Sequence, residues 1–284
     1  MSQTSAQSET PREGASAPPF FLSEGDTWIP QRACIGPWSP ELLHAGPIAA
    51  LCVSLGEELA PGENVVTSRL TLDLLRPIRA LPLQVRCEWI KQGRRVSILQ
   101  IHMQQDGRDT VWGSVQRTAL APVQLPDLSG SGVTLEPPPD QPEDFHAHSE
   151  AYSGRSLAPF VDEACQIHTP EPGGFLKEPA TIAWLCVTAE IEPGRPLSTA
   201  AAVAAAADCG NALGAPVTLD PPPLMFMNAD LTIHLVRAPH DAWVRMQPDS
   251  IWQENGLGQT RCSLSDRRGM LGTSVVTLPL AERP

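Results

Sequence analysis

The sequence predicts an α+β fold delivered twice: two tandem repeats, each a helix plus an antiparallel sheet, joined as one pseudo-dimer. Three observations predict it. First, a strand motif recurs, Leu70-Thr71-Leu72-Asp73-Leu74-Leu75-Arg76-Pro77 in the first half and Leu231-Thr232-Ile233-His234-Leu235-Val236-Arg237-Ala238-Pro239 in the second. Arg76 and Arg237 lie 161 residues apart, and a long internal offset of this kind marks a duplicated unit. Second, a helix-forming segment precedes each copy. Third, a stretch rich in Pro, Gly and Ser separates the halves.

In chain order, Met1 to Pro18 is polar with almost nothing apolar to bury, and is expected to be a disordered tail. Residues 19–121 form the first repeat. Its helix runs from Pro47 to Leu59, with Pro in the first turn and Ile48, Leu51, Cys52, Leu55 and Leu59 at helical spacing. Gly62 is the stop. Both copies of the strand motif are rich in Leu, Ile and Thr and end at a proline, which has no N–H for the ladder. Leu83–Trp89, Val96–Met103 and Thr110–Ala119 continue the meander, with Gly93 and the Asp106-Gly107 turn between them. Residues 122–148 read as a Pro-rich linker. Residues 149–284 form the second repeat. Leu197-Ser198-Thr199 offers caps, Ala200–Ala207 has high helix propensity, and Cys209-Gly210-Asn211 ends that helix. Strands follow from Trp243, from Thr260 to Leu264 and from Met270 to Leu280, with a turn at Asp266–Gly269.

Bulk properties narrow the function. The 284 residues are 42% hydrophobic, enough for two units of roughly 140 residues with real cores. A net charge of −12 leaves no electrostatic footprint for nucleic acid or an anionic membrane. No segment reads as a signal or a membrane span. The seven cysteines, odd in number and without a CxxC pair, read as reduced core residues of a cytoplasmic protein. No ligand pair has the spacing of a metal site, and no cofactor is called for.

One helix followed by an antiparallel meander, given twice, is the pattern of a double hotdog, in which each sheet wraps its helix. A single hotdog dimerises through edge strands, so a tandem chain forms that dimer within itself. Higher assembly, as a homo-oligomer of such chains, stays open. The residues also resemble a family. His44-Ala45-Gly46-Pro47, Leu74-Leu75-Arg76-Pro77 and Gly93-Arg94-Arg95-Val96 are similar to the N-terminal hotdog of the acyl-CoA thioesterase II group. Ala183-Trp184, Leu197-Ser198, Ala207-Asp208-Cys209-Gly210-Asn211, Asn228-Ala229-Asp230-Leu231-Thr232 and Arg237 are similar to the C-terminal hotdog of thioesterase-like proteins. The resemblance covers about residues 20–120 and 180–280.

The resemblance implies an acyl-CoA thioester as substrate and hydrolysis by direct water attack. It implies a water-activating trio from the second hotdog: an Asp near the helix end, a Thr on the next strand and a Gln on the last. The Asp matches Asp208 and the Thr position falls on Asn228. The Gln position falls on Val276 or Thr277, neither of which carries an amide, and Gln116 on the last strand of the first repeat is a relocated partner or a relic of symmetry. Candidate catalytic residues are therefore Asp208, Asn228 and Thr277. Candidate substrate contacts are His44, Gly46, Gly210, Arg94 and Arg95.

Each candidate also has a plainer reading. Asp208 sits where a helix dipole disfavours an anion; it is a polar cap, or a base that orients and deprotonates water. Asn228 is a turn residue, or holds that water. The N–H of Gly46 at a helix start could stabilise an oxyanion, or the glycine serves a tight turn. His44 is a structural loop residue or an acid–base. Arg94-Arg95 is a solvated turn or a phosphate contact. Arg76 and Arg237 fix strand ends to carboxylates rather than bind phosphate, and His146 and His148 carry no expected role. Two rivals to hydrolysis remain. One is a double hotdog that holds acyl-CoA without turnover. The other is an enoyl-CoA hydratase-like hotdog, which needs an Asp–His pair that no single helix of this sequence offers.

Overall fold

The computed structural model describes residues 17–126, 139–148, 158–177, 179–219 and 222–283. In the first half a hairpin of β1 (Phe21–Glu24) and β2 (Thr27–Pro30) precedes helix α1 (Ala45–Leu59). Four strands follow, β3 (Val65–Leu74), β4 (Leu83–Gln92), β5 (Val96–Gln105) and β6 (Arg108–Ala119). Of these, β4, β5 and β6 pair in sequence and β6 pairs in turn with β3. The second half adds β7 (His146–Ala147), α2 (Pro159–Ala164), β8 (Cys165–Thr169), α3 (Gly174–Lys177) and β9 (Ala183–Val187). A small hairpin, β10 (Glu190–Glu192) with β11 (Arg195–Pro196), leads to α4 (Thr199–Ala207) and α5 (Gly210–Leu213). The chain then runs through β12 (Leu224–Met225), β13 (Asp230–Leu235), β14 (Trp243–Gln253), β15 (Leu257–Asp266), β16 (Gly269–Pro279) and β17 (Ala281–Glu282).

Among the described residues thirteen strands form one sheet in the order β1-β2-β4-β5-β6-β3-β13-β16-β15-β14-β9-β8-β7. The repeated motif lies at its centre. Leu231 pairs with Leu72, Thr232 with Thr71 and Ile233 with Leu70, all antiparallel. Thr71 and Thr232 are the same position of the repeat, so the pseudo-two-fold axis passes between them and the contact is isologous. The two halves are a double hotdog with a continuous sheet.

A second internal correspondence lies in the helices. His44 occupies the N-cap of α1, its Nδ1 3.1 Å from the Gly46 nitrogen, and Ser198 caps α4, accepting the Ala201 N–H. Counting from these caps, α1 spans 15 residues to Leu59, and α4 with α5 spans the same distance to Leu213. Asp208 then corresponds to Ser54, and Gly210 to Gly56. Both glycines face the sheet closely: a Cβ at Gly56 would lie 2.6 Å from Val115, and one at Gly210 3.0 Å from Cys262 Sγ. Helix α4 is buried on every side, as its apolar composition requires. Its alanines let the backbone of α1 approach, so that a Cβ at Gly46 would stand 2.6 Å from the Ala205 carbonyl oxygen.

The structure corrects several boundaries. Only β4-β5-β6 and β14-β15-β16 run as meanders. Strands β3 and β13, expected to open them, pair instead with β6 and β16, because they also meet each other across the pseudo-two-fold. The sheet also has strands beyond the four expected in each half. Hairpin β1–β2 extends one edge and β7, β8 and β9 the other. Residues 1–16 of the expected tail lie outside the described residues, but Pro18 is tied down, its carbonyl accepting from the Glu190 N–H at 3.1 Å. Residues 127–138 of the expected linker also lie outside them. Its last ten residues are built into the second half, because the buried Trp184 indole needs an acceptor and finds the Asp140 carbonyl at 2.9 Å. Arg267 clamps Glu143 beside it at 2.5 Å. The helix expected to end at Cys209-Gly210-Asn211 breaks there and resumes as α5.

Candidate functional site

The two central helices pack side by side in opposite directions, the N-terminus of α1 beside the C-terminus of α4. His44 leaves the first half at the N-terminus of α1, and Asp208 caps the C-terminus of α4. His44 Nδ1 lies 2.7 Å from Asp208 Oδ2, with the two side chains 12% and 4% exposed. This resolves the oddity of an acid at a helix C-terminus: the carboxylate faces the positive end of the opposing helix and the imidazole that caps it. Asn228, in the loop before β13, donates through Nδ2 to Asp208 Oδ1 at 2.5 Å and to the Asp208 carbonyl at 3.1 Å. Those two bonds fix which way its amide points. Asn228 Oδ1 is buried and has no hydrogen-bond partner in the structure, an arrangement that usually marks a place for a water or ligand donor.

His44 Nδ1 also lies 3.1 Å from the Gly46 N–H. One nitrogen cannot donate to Asp208 and accept from Gly46 at once. The shorter contact, in the range of a charge-assisted N–H···O bond, favours the proton on Nδ1 and the imidazole as donor. The charge balance agrees. Burial pulls the His44 pKa down, but the Asp208 carboxylate beside it, with a smaller contribution from Cys209, pushes it up to about 10. At neutral pH His44 is an imidazolium paired with a carboxylate.

The pair opens onto a cavity of about 360 Å³ at the junction of the halves. His44, Asp208, Asn211 and Asn228 supply its polar groups, and Trp38, Leu42, Leu43, Leu74, Met225 and Met227 much of its apolar wall. Besides the His44 imidazolium, Arg76 is the cation among the lining residues described. A cleft of this kind, largely apolar with a few convergent polar groups, is the form of a small-molecule site.

Other candidates lie elsewhere. The Thr277 hydroxyl donates to Asp230 Oδ2 at 3.0 Å and its N–H to Asp230 Oδ1 at 2.7 Å, so Thr277 braces the start of β13 and does not line the cavity. Val276 is buried core. Gln116 donates to Ser68 at 3.1 Å within the first half, too local to be a partner of Asp208. Gly210 faces Cys262 in the core, and Asn211 reaches the cavity instead. Gly46 does not line the cavity; it packs against the Ala205 carbonyl of α4. Arg94 and Arg95 are exposed at the far end of α1, roughly 20 Å from His44 by the rise of the helix. Arg237 grips Asp266 with two bonds of 2.6 and 2.5 Å, and Arg76 donates to the Asp109 carbonyl. Among the described residues no group of three or more His, Cys, Asp or Glu could hold a metal, and no helix is long and apolar enough to cross a membrane.

Sequence reasoning had the acid, the amide and the histidine separately. It missed that His44 and Asp208 form a pair, having sought an Asp–His pair within one helix. It also missed Phe160 on α2, whose ring stacks on the imidazole with centroids 4.2 Å apart and planes 24° from parallel. No spacing or motif marks Phe160.

Comparison with known proteins agrees with this picture. Residues 35–120 match the family described as acyl-CoA thioesterase N-terminal domain, and residues 134–278 match the acyl-CoA thioesterase C-terminal domain. No curated protein matches significantly. Among solved structures, a protein of Novosphingobium aromaticivorans described as a thioesterase is 19% identical, with TM-score 0.66 over 94% of this chain and 100% of that one. A hotdog-fold protein of unknown function from Alicyclobacillus acidocaldarius is 15% identical, with TM-score 0.64 over 93% and 96%. An acyl-CoA thioesterase II of Mycobacterium marinum is 16% identical, with TM-score 0.61 over 93% and 95%. At these identities the structural likeness shows the hotdog fold alone.

Proposed function

This chain belongs to the acyl-CoA thioesterase family, and from that premise we propose that it hydrolyses acyl-CoA thioesters by direct attack of water. The observation that carries the reading is the Asp208 carboxylate, held between His44 and Asn228 at the cavity wall. Asp208 is the base, since His44 already holds its proton. Asn228 Oδ1 accepts one hydrogen of the water while Asp208 takes the other. The water oxygen bonds to the thioester carbon, the C–S bond breaks, and the departing thiolate receives a proton from the His44 imidazolium. Asp208 then gives its proton to solvent and the imidazole takes one from solvent, which restores the ion pair and leaves acid and thiol. The helix α1 N-terminus and the charged imidazole stabilise negative charge growing on the carbonyl oxygen. The acyl chain lies against the apolar wall, where two methionines adapt to its shape. The seven cysteines, none in a disulfide, support a cytoplasmic location.

The test is a panel of acyl-CoAs of graded chain length, with free thiol as readout. Release of thiol from at least one, at a rate far above the spontaneous one, is expected. Binding of the panel without turnover leaves a holder of acyl-CoA. The His44–Asp208 pair also favours a second reading, addition of water to an enoyl-CoA, because that chemistry needs such a pair. Enoyl-CoAs in the same panel separate the two. Loss of the conjugated double bond without thiol release would replace hydrolysis by hydration.

The protonation state gives a pH prediction. His44 has a folded value raised above its ordinary 6.5, to about 10. The pair therefore stabilises the fold fully below 6.5, and this contribution is lost as the pH rises through about 10. Hydrolysis should hold through neutral pH and fall over the same alkaline range, as the acid disappears. His44→Gln should lower kcat by about 10² and remove that alkaline limb. An unchanged limb in His44→Gln would assign it to another group.

A further inference from the structure

The cavity walls account for what faces the substrate, but His44 has a neighbour on its other side. Phe160 is fully buried. Its N–H donates to the Ile35 carbonyl at 3.1 Å, which ties α2 of the second half to the loop before α1. Its ring rests on Phe20, with centroids 6.0 Å apart, and reaches α1 so closely that a Cβ on Gly46 would stand 3.0 Å from its Cζ. From that wedge it presents a flat face to the imidazole of His44, 4.2 Å away and nearly parallel.

We propose that Phe160 is a positioning residue for His44, its ring fixing the imidazole plane so that Nδ1 meets Asp208, and stabilising the charged imidazolium over the charge lost when it deprotonates. An aromatic face attracts a cation through its quadrupole, most strongly where water is excluded. A parallel face also blocks rotation of the imidazole about its long axis. The charged and titratable groups near the imidazole are Asp208 and Cys209 at the end of α4, with Arg76 on the cavity wall. Glu163 on α2 is turned away to Arg32 at 2.5 Å. Phe160 is the group that acts on the ring face rather than on its nitrogens.

The experiment compares Phe160→Leu with Phe20→Leu in the full-length protein, reading the His44 titration by NMR of the imidazole and kcat against pH. Phe20 is an equal control, fully buried in the same aromatic contact but not stacked on His44. Both variants should lose thermal stability. Only Phe160→Leu should lower the His44 midpoint, by about one pH unit, and reduce kcat about tenfold with little change in KM. Replacing Phe160 by 3,5-difluorophenylalanine keeps the shape and weakens the quadrupole, so a smaller shift in the same direction is expected. The kinetic arm rests on the hydrolytic reading and the titration arm does not, so an inactive wild type would leave the titration result standing. A His44 midpoint unmoved in folded Phe160→Leu, or moved equally by Phe20→Leu, would overturn the proposal. Should Phe160→Leu fail to fold, the difluoro variant decides alone, and a midpoint equal to wild type would overturn it.

Discussion

Asp208→Asn is expected to reduce kcat for thioester hydrolysis by about 10² to 10⁴, the usual worth of general-base assistance. The substitution keeps the shape of the side chain and removes the charge. Asp208 makes three contacts that depend on its position: it accepts from His44 at 2.7 Å and, on side chain and backbone, from Asn228 at 2.5 and 3.1 Å. Breaking a buried ion pair is costly when the surviving charge is stranded. Here the survivor can escape. Without the carboxylate, burial is the dominant influence on His44 and pulls its pKa down, so the imidazole sheds its proton and remains as a neutral hydrogen-bonding partner. The fold should persist with a modest loss of stability, and acyl-CoA affinity should be kept, since the apolar wall is untouched. Steady-state hydrolysis, equilibrium binding and the His44 titration together check this. A variant that hydrolyses as fast as wild type would show that Asp208 is not the base. A variant that loses binding in proportion to turnover would show that the pair holds the substrate rather than acting on it.

What the sequence disclosed follows the physics of each element. The Leu-Thr-Leu and Leu-Thr-Ile strands were legible as a repeat because both are buried on one face and pair with each other across the pseudo-two-fold, so both halves need the same alternation. The helix repeat was hidden, because His44-Ala45-Gly46-Pro47 and Ser198-Thr199-Ala200-Ala201 share cap geometry but not residue types. Strand β9, Ala183-Trp184-Leu185-Cys186-Val187, is buried at every position. A continuous apolar run of that length has no period to read. Strand β7 is two residues long and follows a Pro-rich stretch, so composition pointed to a linker.

The site was legible in part for a different reason. Asp208 stood out because a carboxylate after an alanine helix has no local excuse, and Asn228 followed from the resemblance. Their third partner was sought on the last strand of the same half, at Val276 or Thr277. It came from the other half, at the N-terminus of α1, and only the close crossing of α1 on α4 brings it there. No one-dimensional pattern encodes a contact between His44 and Asp208. The crossing does leave one trace in the sequence, the glycine two residues after His44.

That glycine gives the second large effect. Gly46→Ala should destabilise the protein and disable the site together. A methyl group at Gly46 would stand 2.6 Å from the Ala205 carbonyl oxygen, 3.0 Å from Phe160 Cζ and 3.1 Å from His44 Nδ1. The oxygen belongs to the backbone of a helix buried on all sides, so it cannot swing away as a side chain would. The two helices must separate. Forcing extra volume into such a contact costs about 1–3 kcal/mol, against which the better helix propensity of alanine returns no more than about 1 kcal/mol. The melting temperature should fall by several degrees. Separation of α1 from α4 also lengthens the contact between His44 and Asp208, since each is fixed to the end of its own helix. A displacement of about 1 Å in a catalytic group can cost on the order of 10² in rate, so kcat should drop by up to that factor. The variant retains the backbone N–H at position 46. If the role of Gly46 were to donate that N–H to an oxyanion, alanine would serve as well, and both rate and stability would be unchanged. Calorimetry and initial rates on the same preparation decide between close approach and donation, and a wild-type rate with a wild-type melting temperature would discard the helix-crossing account.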